Sequence, residues 1–376
     1  MIRNQIRAFL FERAQKRISK TINAYTKSFY PDFDFNQPVE GEIEHVQKWS
    51  GFLSFPVDPL YYRLYSTLSG VRSINYVPDD VYVIFLLKLL NQDRIDHAFR
   101  DKNLYDLFPD SSLFPKVYVR KVKGAYLDAE YAPIKDVDDV LSRLAKSVEY
   151  VIVKPTVDTA SGKNVRFFQS DGIRFSDQYG AVLDCSLLNT EYQHDFAVQE
   201  RVRQEEAVAR FNPQSINTVR VYTYRSVVDD DVHTLSFSLR VGKKGKSIDN
   251  LNGGGYGIGV SPEGELSATA INKFAHKVES INGQDLGKKL TIPHFNEFSD
   301  IAQRVAARFV YDRFLGLDIF RDIHGNMRVM EVNLGHIGTD LPHLLGMPLF
   351  GPFTDEVIEY CRAKKASLTE SYKLQI

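Results

Sequence analysis

Residues 317–333 read Leu317-Asp318-Ile319-Phe320-Arg321-Asp322-Ile323-His324-Gly325-Asn326-Met327-Arg328-Val329-Met330-Glu331-Val332-Asn333. Two strand-like runs, 317–323 and 327–334, flank His324-Gly325-Asn326, whose glycine suits a tight turn. A two-residue turn at His324-Gly325 sets Asp318 opposite Glu331, whereas a turn at Gly325-Asn326 sets Asp318 opposite Asn333. Period-two alternation puts Glu331 and Asn333 on one strand face in both cases. Three oxygen-bearing side chains therefore converge, and two carboxylates facing each other across a strand pair repel unless a cation lies between them. Magnesium would meet that need, since it takes oxygen ligands and keeps positions for water and substrate phosphates. The plainer alternative is a solvated hairpin face carrying scattered charges.

Upstream of the hairpin, Phe298, Ile301, Ala302, Val305, Ala306, Phe309 and Val310 recur at helical spacing, so an amphipathic helix is predicted that ends at Gly316. Strands are predicted around 116–120, 150–154, 197–202, 217–224 and 233–241, with a helix over 136–147. The first 110 residues instead carry aromatics, helix-period runs and proline breaks. They include a ten-residue apolar run at 81–90 opened by Pro78-Asp79-Asp80, a good helix start. The chain thus divides into a mostly helical lobe 1–110, α+β lobes 111–203 and 204–365, and a tail 366–376.

Cations and glycine-bearing loops precede the hairpin. Lys116 and Lys154 stand at strand ends, and the loop 156–165 offers Thr159, Ser161, Gly162 and Lys163 to phosphates. Ser215-Ile-Asn-Thr-Val-Arg220, Arg240-Val-Gly242 and the glycine-dense 249–257 add two guanidinium forks and a backbone that a ligand can approach closely. Each of these has an ordinary reading as well, namely an edge lysine or a salt-bridged surface loop. The nine histidines show no ligand-spaced pair, and no nucleophile elbow surrounds Ser215, so zinc and serine-hydrolase chemistry are disfavoured.

The 376 residues carry 47 basic and 48 acidic side chains for a net charge of -1, with 43% hydrophobic content. Bulk electrostatics names no nucleic-acid partner. Two cysteines, Cys185 and Cys361, make no disulfide framework, which points to the cytoplasm. The N-terminal twenty residues set Arg3, Arg7, Arg13, Lys16, Arg17 and Lys20 against Glu12, with Ile2, Ile6, Phe9 and Leu10 at helical spacing. Such a segment packs its apolar stripe on its own domain or rests on an anionic membrane or a partner.

Taken in order, Lys116, Val151-Ile-Val-Lys154-Pro, Ser161-Gly162-Lys163, Val198-Gln-Glu200-Arg201, Ser215-Ile-Asn-Thr-Val-Arg220, Leu239-Arg240-Val-Gly242, Asp249-Asn250, Gly253-Gly-Gly255, Leu317-Asp318 and Met330-Glu331-Val-Asn333 resemble the ATP-grasp superfamily, and most of all its sugar-transfer-associated branch. The likeness covers roughly residues 110–360. It implies ATP held between two α+β lobes, with Lys116 and Lys154 near its phosphates and the 156–165 loop, with Ser161, Gly162 and Lys163, as a lid. Gln199, Glu200, Arg201 and Val202 would form the adenine hinge, and Glu205 or Glu206 would reach the ribose. Asp318, Glu331 and Asn333 would hold magnesium, two ions of it. Arg240 would contact the transferring phosphoryl group, and Arg220 and Asn250 would orient a carboxylate and its oxyanion. The lid has Ser161-Gly162-Lys163-Asn164 where many members carry more glycines.

The implied activity is carbon–nitrogen ligation through an acylphosphate, joining a small carboxylate to an amine, either of them sugar-linked, in surface-polysaccharide or natural-product synthesis. A kinase acting on a hydroxyl and a non-catalytic ATP-binding module are the alternatives. A homo-oligomer is compatible with this reading.

Overall fold

The computed structural model describes residues 2–91, 101–107, 110–157, 164–192, 194–335 and 337–371. Among the described residues, α1 (Ile2–Phe29), α2 (Glu42–Trp49), α3 (Leu60–Ser69) and α4 (residues 79–90) open the chain. Pro78, with φ -65°, leads into α4, and Asp79 and Asp80 occupy its positively polarised first turn. Its middle turn, Tyr82–Leu86, widens to π geometry.

Two antiparallel sheets follow. The first comprises β1 (Val117–Val122), β2 (Ala125–Leu127), β3 (Tyr150–Pro155), β4 (Arg166–Ser170), β5 (Phe175–Ser176) and β6 (Phe196–Glu200) in the order β2-β1-β6-β3-β4-β5. Helices α5 (Val137–Ala145) and α6 (Cys185–Glu191) cover it, each capped by an aspartate, Asp136 or Asp184, that accepts a backbone N–H three residues on. Val119, Val151, Val153, Phe168, Leu141 and Leu188 fill the space between.

The short helix α7 (Glu206–Ala209) leads to the second sheet. That sheet contains β7 (Val219–Arg225), β8 (Val232–Val241), β9 (Tyr256–Val260), β10 (Leu266–Ile271), β11 (Lys277–Val278), β14 (Phe314–Arg321) and β15 (Met327–Asn333), ordered β11-β10-β9-β8-β7-β14-β15. A separate ribbon pairs β12 (Ser280–Ile281) with β13 (Gln284–Asp285). Helix α8 (Asn296–Ala306) packs Phe298, Ile301, Ala302 and Val305 against one face. It ends ten residues before Gly316, because residues 314–321 are already committed to β14. Two further helices, α9 (Asp340–Leu344) and α10 (Thr354–Ser371), close the chain.

The architecture is therefore α+β, two sheet lobes preceded by a mostly helical segment. The change of composition near residue 110 separates helices from strands but does not separate two cores. Phe11, Trp49, Phe85 and Leu86 share one apolar cluster with Tyr222, Tyr224 and Phe314 of the second sheet and with Val357 and Ile358 of α10. Residues 366–371, expected as tail, continue α10, because its inner face closes that same core.

The β14–β15 hairpin differs from both two-residue turns. Asp322 N–H donates to Asn326 O at 2.9 Å around a three-residue loop whose last member, Gly325, has φ +82°. A second bond, from Gly325 N–H to Asp322 O at 3.0 Å, makes this a four-residue turn closed by a left-handed residue. Arg321 pairs with Met327 and Ile319 with Val329; the register then shifts by one, so that Asp318 faces Glu331 and Gly316 faces Asn333. Met330 is the extra residue of a bulge.

Candidate active site

A cavity of about 1600 Å³ lies between the two sheets. From the first come Tyr150, Ile152 and Lys154 on β3 and Phe167 on β4; from the second come Arg220, Tyr222, Arg240, Asp318, Glu331 and Asn333. Register lines up part of this wall as a row across three strands, since Asp318 pairs with Arg220 on one side and with Glu331 on the other. Side chains of paired residues share a face in antiparallel sheet, so the three groups stand side by side.

Asp318 is buried and fully engaged. Arg220 donates to it through Nε (2.7 Å to Oδ1) and Nη2 (2.9 Å to Oδ2), and Arg240 Nη1 reaches both oxygens at 3.1 and 3.0 Å. Burial by itself would raise this carboxyl, but the two guanidinium groups outweigh it and hold the group down to about 2. Arg240 also donates to Asp249 at 3.3 Å, and Asp249 accepts from the Thr218 hydroxyl. Glu331 pairs with Lys102 at 2.9 Å. Asn333 Nδ2 donates to Gly316 O at 3.1 Å, which orients the amide and leaves its Oδ1 for another partner. The carboxylate pair read from the sequence thus exists, balanced by three cationic side chains.

Lys154 is the exception in this charge balance. Among the described residues no carboxylate comes within ion-pair distance of it, and burial first, then nearby Lys102, lowers its ammonium to about 7 against the opposing pull of Glu331. An ammonium so placed gains from any anion entering the cavity.

Arg201, Val202 and Glu205 line the cavity, as do Lys154, Arg220, Arg240, Asn250, Asp318, Glu331 and Asn333. Glu205 accepts from Arg321 at 2.8 Å, and Asn250 accepts from the Asn252 N–H at 2.8 Å, closing the turn Leu251–Gly253. Three expectations need correction. Lys116 is exposed, over the Tyr118 ring; it precedes β1, and β6 intervenes between β1 and the cavity-lining β3. Gln199 is buried on β6, on the same sheet face as its pairing partner Ile152, but it does not itself line the cavity, and among the described residues its Nε2 has no hydrogen-bond partner. Glu200 turns to the Lys116 backbone N–H at 2.8 Å and to Arg328. The stretch 201–206 lines the cleft instead. Ser161, Gly162 and Lys163 lie outside the described residues.

Lys102, Tyr222 and Asp340 also line the cavity and were missed. Asp101-Lys102-Asn103 reads locally as a polar loop, and tertiary bonds, from Lys102 N–H to Thr156 O at 3.2 Å and from the Asn103 amide to the Thr156 hydroxyl at 2.9 Å, bring Lys102 beside Lys154. Thr339-Asp340 is a helix start, a signal that carries no chemistry until its cavity is known.

The family model for sugar-transfer associated ATP-grasp proteins matches residues 85–343, more than half of the chain. The chain belongs to this family. Among solved structures, the ATP-grasp ligase PsnB complexed with minimal precursor aligns at 17% identity and TM-score 0.35, over 72% of this chain and 64% of that one. D-alanyl-alanine synthetase A from Vibrio cholerae aligns at 11% identity and TM-score 0.40, over 71% and 65%. The biotin carboxylase domain of Hydrogenobacter thermophilus 2-oxoglutarate carboxylase, solved with MgADP and bicarbonate, aligns at 12% identity and TM-score 0.39, over 77% and 49%. The chain therefore spans less than two thirds of these structures' lengths. No protein of curated function matches it.

Proposed function

We propose that this ATP-grasp protein is an ATP- and magnesium-dependent ligase that activates a carboxylate as an acylphosphate and transfers the acyl group to an amine. The observation that carries the reading is the row Arg220–Asp318–Glu331, extended by Arg240 and Asn333, facing across one cavity the buried Lys154, which has no ion-pair partner among the described residues. Lys154 and Lys102 would take the phosphates, with Ile152 and Phe167 against the base and residues 201–205 along the nucleotide's edge.

The donor set suits a hard divalent cation in part. Glu331, now paired with Lys102, and the Asn333 Oδ1 would be its ligands, whereas Asp318 would become one only once Arg240 releases it, because both its oxygens already accept from two arginines. Bound magnesium would supply neutralisation of charge on the phosphate oxygens. The chain's own residues do the rest. Arg240, freed from Asp318, would meet the transferring phosphoryl group, and Arg220 would hold the substrate carboxylate while one of its oxygens attacks the γ-phosphorus and ADP leaves. The amine nitrogen then attacks the acyl carbon, phosphate departs, and one proton must be taken from nitrogen. The far wall suits that step: Asp340 lines the cavity and burial raises its carboxyl, while Asp79, raised to about 7 by burial, lies within its electrostatic reach.

The test is release of ADP and phosphate from ATP in the presence of paired acids and amines. Stoichiometric ADP and free phosphate that require both substrates support ligation. ADP without free phosphate, with the phosphoryl group retained on product, would establish a kinase instead.

A further inference from the structure

The outer face of α1 carries a second feature that the nucleotide cavity does not use. Within its 28 residues stand seven cations (Arg3, Arg7, Arg13, Lys16, Arg17, Lys20, Lys27) and a single acid, Glu12. At about 100° per residue, Ile6, Phe9, Arg13, Lys16, Arg17, Lys20 and Lys27 fall within a stripe roughly 100° wide. The stripe is opposite the packed face, where Phe11, Ala14 and Gln15 are buried and Ile18 is partly buried against the same core. All seven stripe residues are exposed, and among the described residues no carboxylate lies within ion-pair distance of Arg13, Arg17, Lys20 or Lys27. Lys16 alone is paired, with Glu12 at 2.9 Å.

Two further observations favour a surface over a soluble anion. The stripe runs straight for about 30 Å, too long for a small ligand. Its N-terminal end carries the apolar side chains Ile6 and Phe9, 48% and 58% exposed. Cations crowded at three- and four-residue spacing repel one another in a free helix, and an opposing anionic plane removes that repulsion. Exposed aromatic and aliphatic groups beside lysine and arginine are the composition of a helix lying in a membrane interface.

We infer that α1 docks this protein on an anionic lipid surface, its basic stripe against the headgroups and Ile6 and Phe9 inserted at the acyl boundary. The inference is independent of the ligase reading. It does bear on it, since α1 ends at Phe29, which lines the cavity, so docking would fix the cavity relative to the lipid surface.

Sedimentation of the full chain with vesicles tests this. Phosphatidylcholine vesicles enriched in phosphatidylglycerol should bind the protein at low salt and release it at high salt, and phosphatidylcholine alone should bind it at least about tenfold more weakly. The triple change Arg13→Glu, Arg17→Glu and Lys20→Glu should abolish binding, and Phe9→Ser should weaken it while leaving its salt dependence. ATP-induced thermal stabilisation should persist in every variant. Should the reversal variant not fold, the neutral set Lys16→Gln, Lys20→Gln and Lys27→Gln, with thermal unfolding as the folding check, must still lower vesicle binding. Equal binding to neutral vesicles, unchanged binding of the charge variants, or retention by RNA in preference to anionic vesicles would each overturn the inference.

Discussion

Asp318 and Glu331 stand opposite each other in the same sheet and are expected to respond in opposite ways to substitution. Asp318 neutralises two buried guanidinium groups, so Asp318→Ala leaves uncompensated buried charge and should destabilise the fold by about 3–5 kcal/mol. Loss of activity in that variant would say little about the metal. Glu331, with its side chain 32% exposed and Lys102 as its ion-pair partner among the described residues, can be changed with little structural effect. Glu331→Gln should lose magnesium-dependent ATP turnover by about two orders of magnitude or more while its unfolding midpoint stays close to the parent's; wild-type turnover in a purified sample would remove Glu331 from the metal site. Lys154 offers a pH signature. Its ammonium is lowered to about 7 in the native state against about 10.4 unfolded, so between those values the unfolded chain binds the extra proton and stability rises with pH. Lys154→Met should flatten that rise in unfolding measurements over pH 7 to 10, and it should lose nucleotide-induced stabilisation.

At the scale of elements, the β14–β15 hairpin shows how much of the site was legible and where reading stopped. Strand alternation placed Glu331 and Asn333 on one face because that periodicity is a property of the extended backbone itself. Register was a different matter: a three-residue loop and the bulge at Met330 offset each other, and the Asp318–Glu331 pairing results from their combination. Gly325 holds the turn at φ +82°, and an added Cβ would meet Arg321 Nη2 at 2.9 Å. Gly325→Ala should therefore lower stability by about 1–2 kcal/mol, read as a shifted urea midpoint with unchanged slope. Lys116 shows the converse failure. A lysine ahead of a strand looked suited to phosphate, but strand order, which puts β6 between β1 and β3, is set by pairing across the chain and has no local signal.

For the whole molecule, the cavity exists because two sheets face each other, and a ligand spanning them binds the native state only. Thermal unfolding with magnesium, ATP and both together should give a midpoint that rises most with both, and Glu331→Gln should lose the metal-dependent part. An unchanged midpoint at millimolar ATP would remove the nucleotide from the cavity. The helical segment is part of this same unit, since Phe85 and Leu86 share a core with Phe314 and Tyr224, and a nucleotide effect measured by unfolding will include α1 to α4.

By itself the sequence determined the α+β class, the helix starts at Pro78 and Asp136, the family likeness, and the common face of Glu331 and Asn333. These depend on neighbours a few residues away, through backbone periodicity, capping and turn chemistry. Only the tertiary structure decided that Arg220, 98 residues from Asp318, and Arg240 hold that carboxylate, that Lys102 in place of Lys116 stands beside Lys154, and that the basic stripe of α1 faces outward. Charge balance and desolvation depend on which groups the packed chain brings within a few ångströms, and that distance is unrelated to separation along the sequence.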